Sequence, residues 1–172
     1  MLEDFRLRLY LETTTFNYYY DDRKGHDDVV RLFEALKAGQ FAGYTSDYVT
    51  EEIEDAPEPK RTNMLNLITA NSIIVLNGNK AAESLARKYR EIGIIPHSQV
   101  MDSRHIAVAS LYKLNAIVSY NFHHINRDKT KKLIPLVNDT QNLPGINFWT
   151  AKEVFEYDRL RTGDAGDGSD RG

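Results

Sequence analysis

The chain has 172 residues, a length suited to one domain with a sizeable core, and no apolar run in it is long enough to span a bilayer. Its net charge of −3 gives no global basic field for coating nucleic acid. Cysteine is absent, which excludes disulfides and thiolate metal sites and fits a reducing, cytoplasmic setting.

Taken in chain order, the pattern alternates strand and helix. Leu7, Leu9 and Leu11 at period two predict a short strand over Leu7 to Leu11. Asp27 and Asp28 open a helix whose apolar positions Val29, Leu32, Phe33 and Leu36 follow helical spacing, and Gly39 ends it. A second strand is predicted over Phe41 to Thr45. Ser46 or Asp47 then caps a helix through Val49, Glu52 and Ile53, which Pro57 and Pro59 close.

The pattern continues with a short helix over Arg61 to Thr69, a strand over Ile73 to Leu76, and a helix over Lys80 to Ile92 stopped by Gly93. A helix of small residues starts at Asp102, and the strand Ala116 to Ser119 follows it. Asp128 to Asn138 reads as helical with a break near Pro135. Ile146 to Trp149 is a last strand and Ala151 to Tyr157 a last helix. Strands separated by helices imply right-handed crossovers and a parallel sheet covered by helices on both faces, an α/β architecture.

There is no internal repeat and no domain linker, so residues 1–161 read as a single domain. Residues 162–172 read as a disordered tail by composition. Within that tail Asp164, Asp167 and Asp170 against Arg171 hold −2 of the net charge. The N-terminus lacks a signal-peptide pattern, which points away from secretion. Lys129, Lys131 and Lys132 form a local basic cluster able to touch phosphates.

Three acids stand at ends of elements, where open α/β proteins keep their chemistry. Glu12 follows the first strand directly, Glu52 lies early in the helix after the second, and Asp102 starts the helix before the fourth. Strand C-termini and helix N-termini converge on one sheet edge, so the three should meet. Carboxylates so close repel unless a cation neutralises them. An all-oxygen donor set suits Mg²⁺ or Mn²⁺, and the matching chemistry is attack of metal-activated water on a phosphodiester.

Each acid also has a structural reading. Asp102 is a favoured residue in a helix first turn on dipole grounds alone. Glu52 sits in the run Glu51-Glu52-Ile53-Glu54-Asp55, and a charge run is commonly a solvated face. Glu12, between an apolar strand and three threonines, has no evident structural task. Asn121, after Val118-Ser-Tyr, either orients a ligand or closes a turn. His105 shares a helix face with Asp102 and either pairs with it or packs.

His123 and His124, being adjacent, do not share a face as a metal pair would. A metal-independent nuclease using His105 and His124 as acid and base is a further alternative. Tyr18 to Tyr20 either stack on bases or cover the sheet edge. No nucleophilic-serine pattern, phosphate-gripping Gly-rich loop or dinucleotide fingerprint is present.

Four segments carry a resemblance: Leu11-Glu-Thr-Thr-Thr-Phe, Thr45-Ser-Asp-Tyr-Val-Thr-Glu-Glu52-Ile, Asp102-Ser-Arg-His-Ile-Ala-Val-Ala, and Val118-Ser-Tyr-Asn121-Phe-His-His-Ile. In order, from Leu7 to Tyr157, they resemble the motifs of PIN-domain proteins, in particular the VapC-type toxins of bacterial toxin–antitoxin pairs. The resemblance implies a three-layer α/β/α PIN-like fold with a central parallel sheet. It also implies Mg²⁺- or Mn²⁺-dependent endoribonuclease activity. By the same resemblance Glu12, Glu52 and Asp102 are the metal ligands, with Glu51 the register alternative to Glu52, and Asn121 is the polar residue beyond the fourth strand. The expected partners are an RNA substrate, an antitoxin protein that plugs the acidic site with a basic side chain, and a second copy in a homodimer.

Two departures from the family pattern stand out. The first acid is Glu12 where aspartate is usual, which extends its reach by one methylene, about 1.5 Å. Just after Asn121, where a further acid is usual, stand His123 and His124. Three acids suffice for one metal. The departures support an alternative, a catalytically weakened PIN fold serving as an RNA- or protein-binding module.

Overall fold

The computed structural model describes residues 5–163. Five strands form one parallel sheet: β1 Arg8–Leu11, β2 Ala42–Ser46, β3 Ile74–Leu76, β4 Ala116–Val118 and β5 Asn147–Trp149. Their spatial order is β3-β2-β1-β4-β5, with Leu9 paired to Gly43 on one side and Ala116 on the other. From β1 the chain winds outward to β3, then returns and winds the other way to β5. β1 and β4 therefore flank a topological switch point, the crevice where open sheets of this kind bind ligands.

β1 is more buried than period two suggests. Tyr10 is as inaccessible as Leu9 and Leu11, because a central parallel strand is covered on both faces. β4 is likewise closed on both faces, all three of its residues being fully buried.

Eight helices occur among the described residues: α1 Thr13–Tyr20, α2 His26–Lys37, α3 Asp47–Glu54, α4 Lys60–Ala70, α5 Lys80–Glu91, α6 Val100–Leu111, α7 Asp128–Thr140 and α8 Ala151–Thr162. Right-handed crossovers put the helices linking β1, β2 and β3 on one face and those linking β3, β4 and β5 on the other. The packing agrees, with α2 against α1 and α8, and α5 against α6. The expected three-layer α/β/α architecture is present. Among the described residues no helix is long and apolar enough to cross a membrane.

Three expectations need correction. Thr13–Tyr20, to which sequence pattern assigns no element, is α1. Its β-branched and aromatic residues are weak helix formers, but Glu12 caps it and Phe16 anchors it in the core. Pro135 does not break α7, which runs on to Thr140 with Ile134 and Asn138 buried on either side of the proline. α8 runs past Tyr157 to Thr162, and Gly163 closes it in the left-handed conformation at φ 70°. Of the predicted tail, residues 164–172 lie outside the described residues.

α3 is held where it can serve the switch point. It packs on α4 and α6. Asp47 accepts the Gly78 N–H at 3.0 Å, and the Tyr48 hydroxyl donates to Glu83 at 2.9 Å. Gly78 must be glycine, because a Cβ there would stand 2.2 Å from the Tyr48 ring.

Candidate active site

Glu12 is the first residue beyond β1 and the N-cap of α1. It is 3% exposed. Its Oε2 accepts from the Thr14 N–H at 3.1 Å, from the Thr14 hydroxyl, and from the Ser119 hydroxyl at 2.9 Å. The expectation that Glu12 lacks a structural task is thus overturned: it caps a helix and ties β1 to β4. Burial holds its carboxyl above the ordinary range. His105 and the hydroxyls of Thr14 and Ser119 oppose that rise, and Glu52 adds to it.

Glu52 lies in the second turn of α3, half-buried, while Glu51 beside it is exposed. Glu52 is therefore the residue in register. Its Oε1 accepts from the Thr13 hydroxyl at 2.8 Å and from His105 Nε2 at 2.5 Å. Burial pushes this carboxyl up, but the His105 hydrogen bond and charge, with Thr13, outweigh it and hold Glu52 below its usual value.

His105 pairs with Glu52, not with Asp102. It is 1% exposed, and its Nδ1 lies 2.7 Å from the Tyr10 hydroxyl, which in turn lies 2.7 Å from Ser46 Oγ. Burial disfavours the imidazolium, yet the hydrogen bond and charge of Glu52, with Glu12 and Asp102 beyond, raise its pKa above the ordinary value. In its protonated form His105 donates from both nitrogens, and Tyr10 then accepts from it, leaving the Tyr10 hydroxyl hydrogen free for Ser46. Both ring nitrogens of His105 are therefore engaged by Tyr10 and Glu52 in the interior.

Asp102 occupies the first turn of α6. A helix leading into a parallel strand runs antiparallel to it, so this N-terminus reaches the same sheet edge. Its Oδ1 accepts from Asn121 Nδ2 at 3.2 Å. Burial lifts its carboxyl above the usual range, against the pull of His105, His124 and Asn121. Asn121 closes a turn, its Oδ1 accepting the His124 N–H at 3.1 Å and its carbonyl the Asn126 N–H, while its side-chain amide donates to Asp102. His123 is exposed; His124 is half-buried, and its Nδ1 is the one buried side-chain polar atom without a partner among the described residues.

The supporting residues that sequence reasoning missed are Tyr10, Ser46, Thr13, Thr14 and Ser119. A tyrosine inside a leucine strand and a serine at the end of β2 and just after β4 were the available signals.

The donor set suits a hard divalent ion in kind, since three carboxylates each leave one oxygen without a hydrogen bond among the described residues. The spacing does not match. Among those residues no group of three or more histidine, aspartate or glutamate side chains is arranged to hold a metal ion. Glu52 is turned to His105 and Glu12 to Thr14 and Ser119.

No protein-family model matches the sequence, and no curated protein is detectably similar to it. Its structure is similar to VapC20 of Mycobacterium tuberculosis, a sarcin-ricin loop cleaving toxin, with a TM-score of 0.52 and 12% identity, over 67% of this chain and 92% of that one. The chain has a PIN-like fold. In the PIN-like fold seen here, Glu12, Glu52, Asp102 and Asn121 all lie at the carboxyl edge of the sheet, around the β1–β4 switch point.

Proposed function

We propose that the chain is an endoribonuclease of PIN type, the toxin of a toxin–antitoxin pair, hydrolysing RNA phosphodiesters in the cytoplasm as one domain over residues 1–161. The observation that carries this reading is the gathering of Glu12, Glu52 and Asp102, with Asn121, at the switch point of a PIN-like fold. The likeness to a sarcin-ricin loop cleaving toxin supports it. The proposed partners are an RNA substrate, an antitoxin that offers a basic side chain to the acids, and a second copy of the chain.

The proposed cofactor is Mg²⁺ or Mn²⁺; Glu12, Glu52 and Asp102 would hold it only by turning from the partners they keep here, and the ion would then supply an activated water and positive charge against the phosphate. The chain's own residues do the positioning. Glu52 favours the protonated form of His105, and in that form the ring offsets part of the acids' charge against a phosphate. Asn121 fixes the carboxylate of Asp102 and presents its amide at the same edge.

Incubating the purified protein with RNA and Mn²⁺, beside Asp102→Ala, tests the proposal. Cleavage by the wild type alone is the expected result, and cleavage that persists in the variant sinks it. The spacing of the acids favours one second reading, a PIN fold that binds RNA or protein without turnover. Calorimetric titration separates the two: no uptake of Mg²⁺ or Mn²⁺ at millimolar levels selects the binding module.

A further inference from the structure

Beyond the acids, the carboxyl edge of the sheet carries a second feature. A cavity of about 420 Å³ opens there, walled by Tyr18, Tyr120 and Phe122, with Lys24, Lys152 and Asp28 also lining it. Tyr18 stacks on Tyr120 with ring centroids 3.9 Å apart and planes 22° from parallel, and Phe122 meets Tyr120 edge-on at 6.1 Å. Arg23 sits over the Tyr18 ring at 4.7 Å. Phe122 is 53% exposed, so its ring is open to solvent at the cavity wall. Gly25 permits the close wall: a Cβ there would stand 3.1 Å from the Tyr120 ring.

We infer that this cavity holds an unpaired nucleotide of the RNA strand next to the phosphate presented to the acids, its base stacked on Phe122 and its backbone met by Lys24 and Lys152. The inference rests on the ribonuclease reading and names the form of substrate that reading requires. Three observations converge on it. Tyr120 and Phe122 are the chain neighbours of Asn121, which links the wall of the cavity to the residue that holds Asp102. An exposed aromatic face is what a base stacks on when it is not paired. Two lysines against one aspartate give the lining a net positive charge, matched to a phosphate backbone. Asp28, which repels phosphate, can accept the exocyclic amino group of a base. A base within a duplex is already stacked and has no free face to offer, so the cavity selects single-stranded or looped RNA.

The test uses the full chain carrying Asp102→Ala, so that RNA is not consumed, and a fluorescein-labelled single-stranded oligoadenylate followed by anisotropy. Adding Phe122→Ala should weaken binding by about 5- to 100-fold, and Phe122→Tyr should restore it. Lys24→Ala with Lys152→Ala should lower the slope of log affinity against log salt by about 1.4. Duplex RNA and ribose 5-phosphate should compete poorly. Circular dichroism checks that the variants fold, as exposure of Phe122 leads one to expect. Unchanged affinity in Phe122→Ala, alongside RNA cleavage by the wild type, overturns the cavity assignment and leaves the nuclease reading standing. A wild type that neither binds nor cleaves RNA overturns both. Adenosine monophosphate binding as tightly as the oligonucleotide overturns the assignment in favour of a free-nucleotide site. RNA affinity retained by Phe122→Ala while a co-expressed antitoxin no longer binds overturns it in favour of a protein contact.

Discussion

Glu52 accepts from a buried histidine at 2.5 Å and from Thr13 at 2.8 Å, whereas Asp102, on the neighbouring helix, holds a single hydrogen bond of 3.2 Å from Asn121. The same burial acts on both carboxyls with opposite outcomes: Glu52 ends below its ordinary pKa and Asp102 above it. The difference lies in the partners. One wall of the cleft is a chain of hydrogen bonds running Glu52–His105–Tyr10–Ser46, locked into the core. The other is Asp102, Asn121 and the unpartnered Nδ1 of His124. The first wall is tied into the core by four linked side chains, whereas the second hangs on one longer hydrogen bond.

Breaking the locked wall should have the largest effect. His105→Ala removes the imidazole from between Glu52 and Tyr10, strands both partners, and should cost about 3 kcal/mol in urea unfolding. A loss under about 1 kcal/mol would mean that the chain of hydrogen bonds is not what stabilises this wall.

A smaller effect is expected from pH. The folded pKa of His105 lies above 6.5, so its stabilisation is complete below about pH 6.5 and is lost as pH rises through the folded value. Glu52, with its folded pKa below 4.5, contributes stability above that pH which disappears only on deeper acidification. Below the range where tyrosines titrate, urea midpoints should therefore fall as pH rises above neutral in the wild type and stay flat in His105→Ala. Parallel curves for the two proteins would remove His105 as the source.

The smallest expected change in stability comes from the other wall. Asp102→Asn replaces a carboxylate that burial disfavours with a neutral group of the same shape, so stability should hold or rise by up to about 1 kcal/mol. RNA cleavage should vanish in the same variant. A marked loss of stability would place Asp102 with the structural wall.

Much of this was legible in the sequence because it depends on local pattern. The short apolar runs became the five strands, Gly39 and Gly93 marked helix ends, and the position of Asp102 in a helix first turn held. What escaped depends on contacts far apart in the chain. α1 forms from poor helix residues because Phe16 reaches the core and Glu12 caps the first turn, a role usually filled by serine, threonine, aspartate or asparagine. The bond between His105 and Glu52 is not legible in sequence because it joins two helices 53 positions apart. Nothing along α7 announces that packing of Ile134 and Asn138 carries the helix through Pro135.

The hydrogen bond from Ser119 to Glu12 spans 107 positions of the chain. β1, β2 and β3 can all be synthesised before it exists, but β4 must dock beside β1 before Ser119 reaches Glu12 or Asn121 reaches Asp102. A nascent chain that ends before Ser119 therefore holds Glu12 and Glu52 without the residues that complete the cleft. For a protein read as a nuclease, the strand order acts as a delay: the cleft at β1 stays unassembled until the ribosome has delivered β4 and the turn after it.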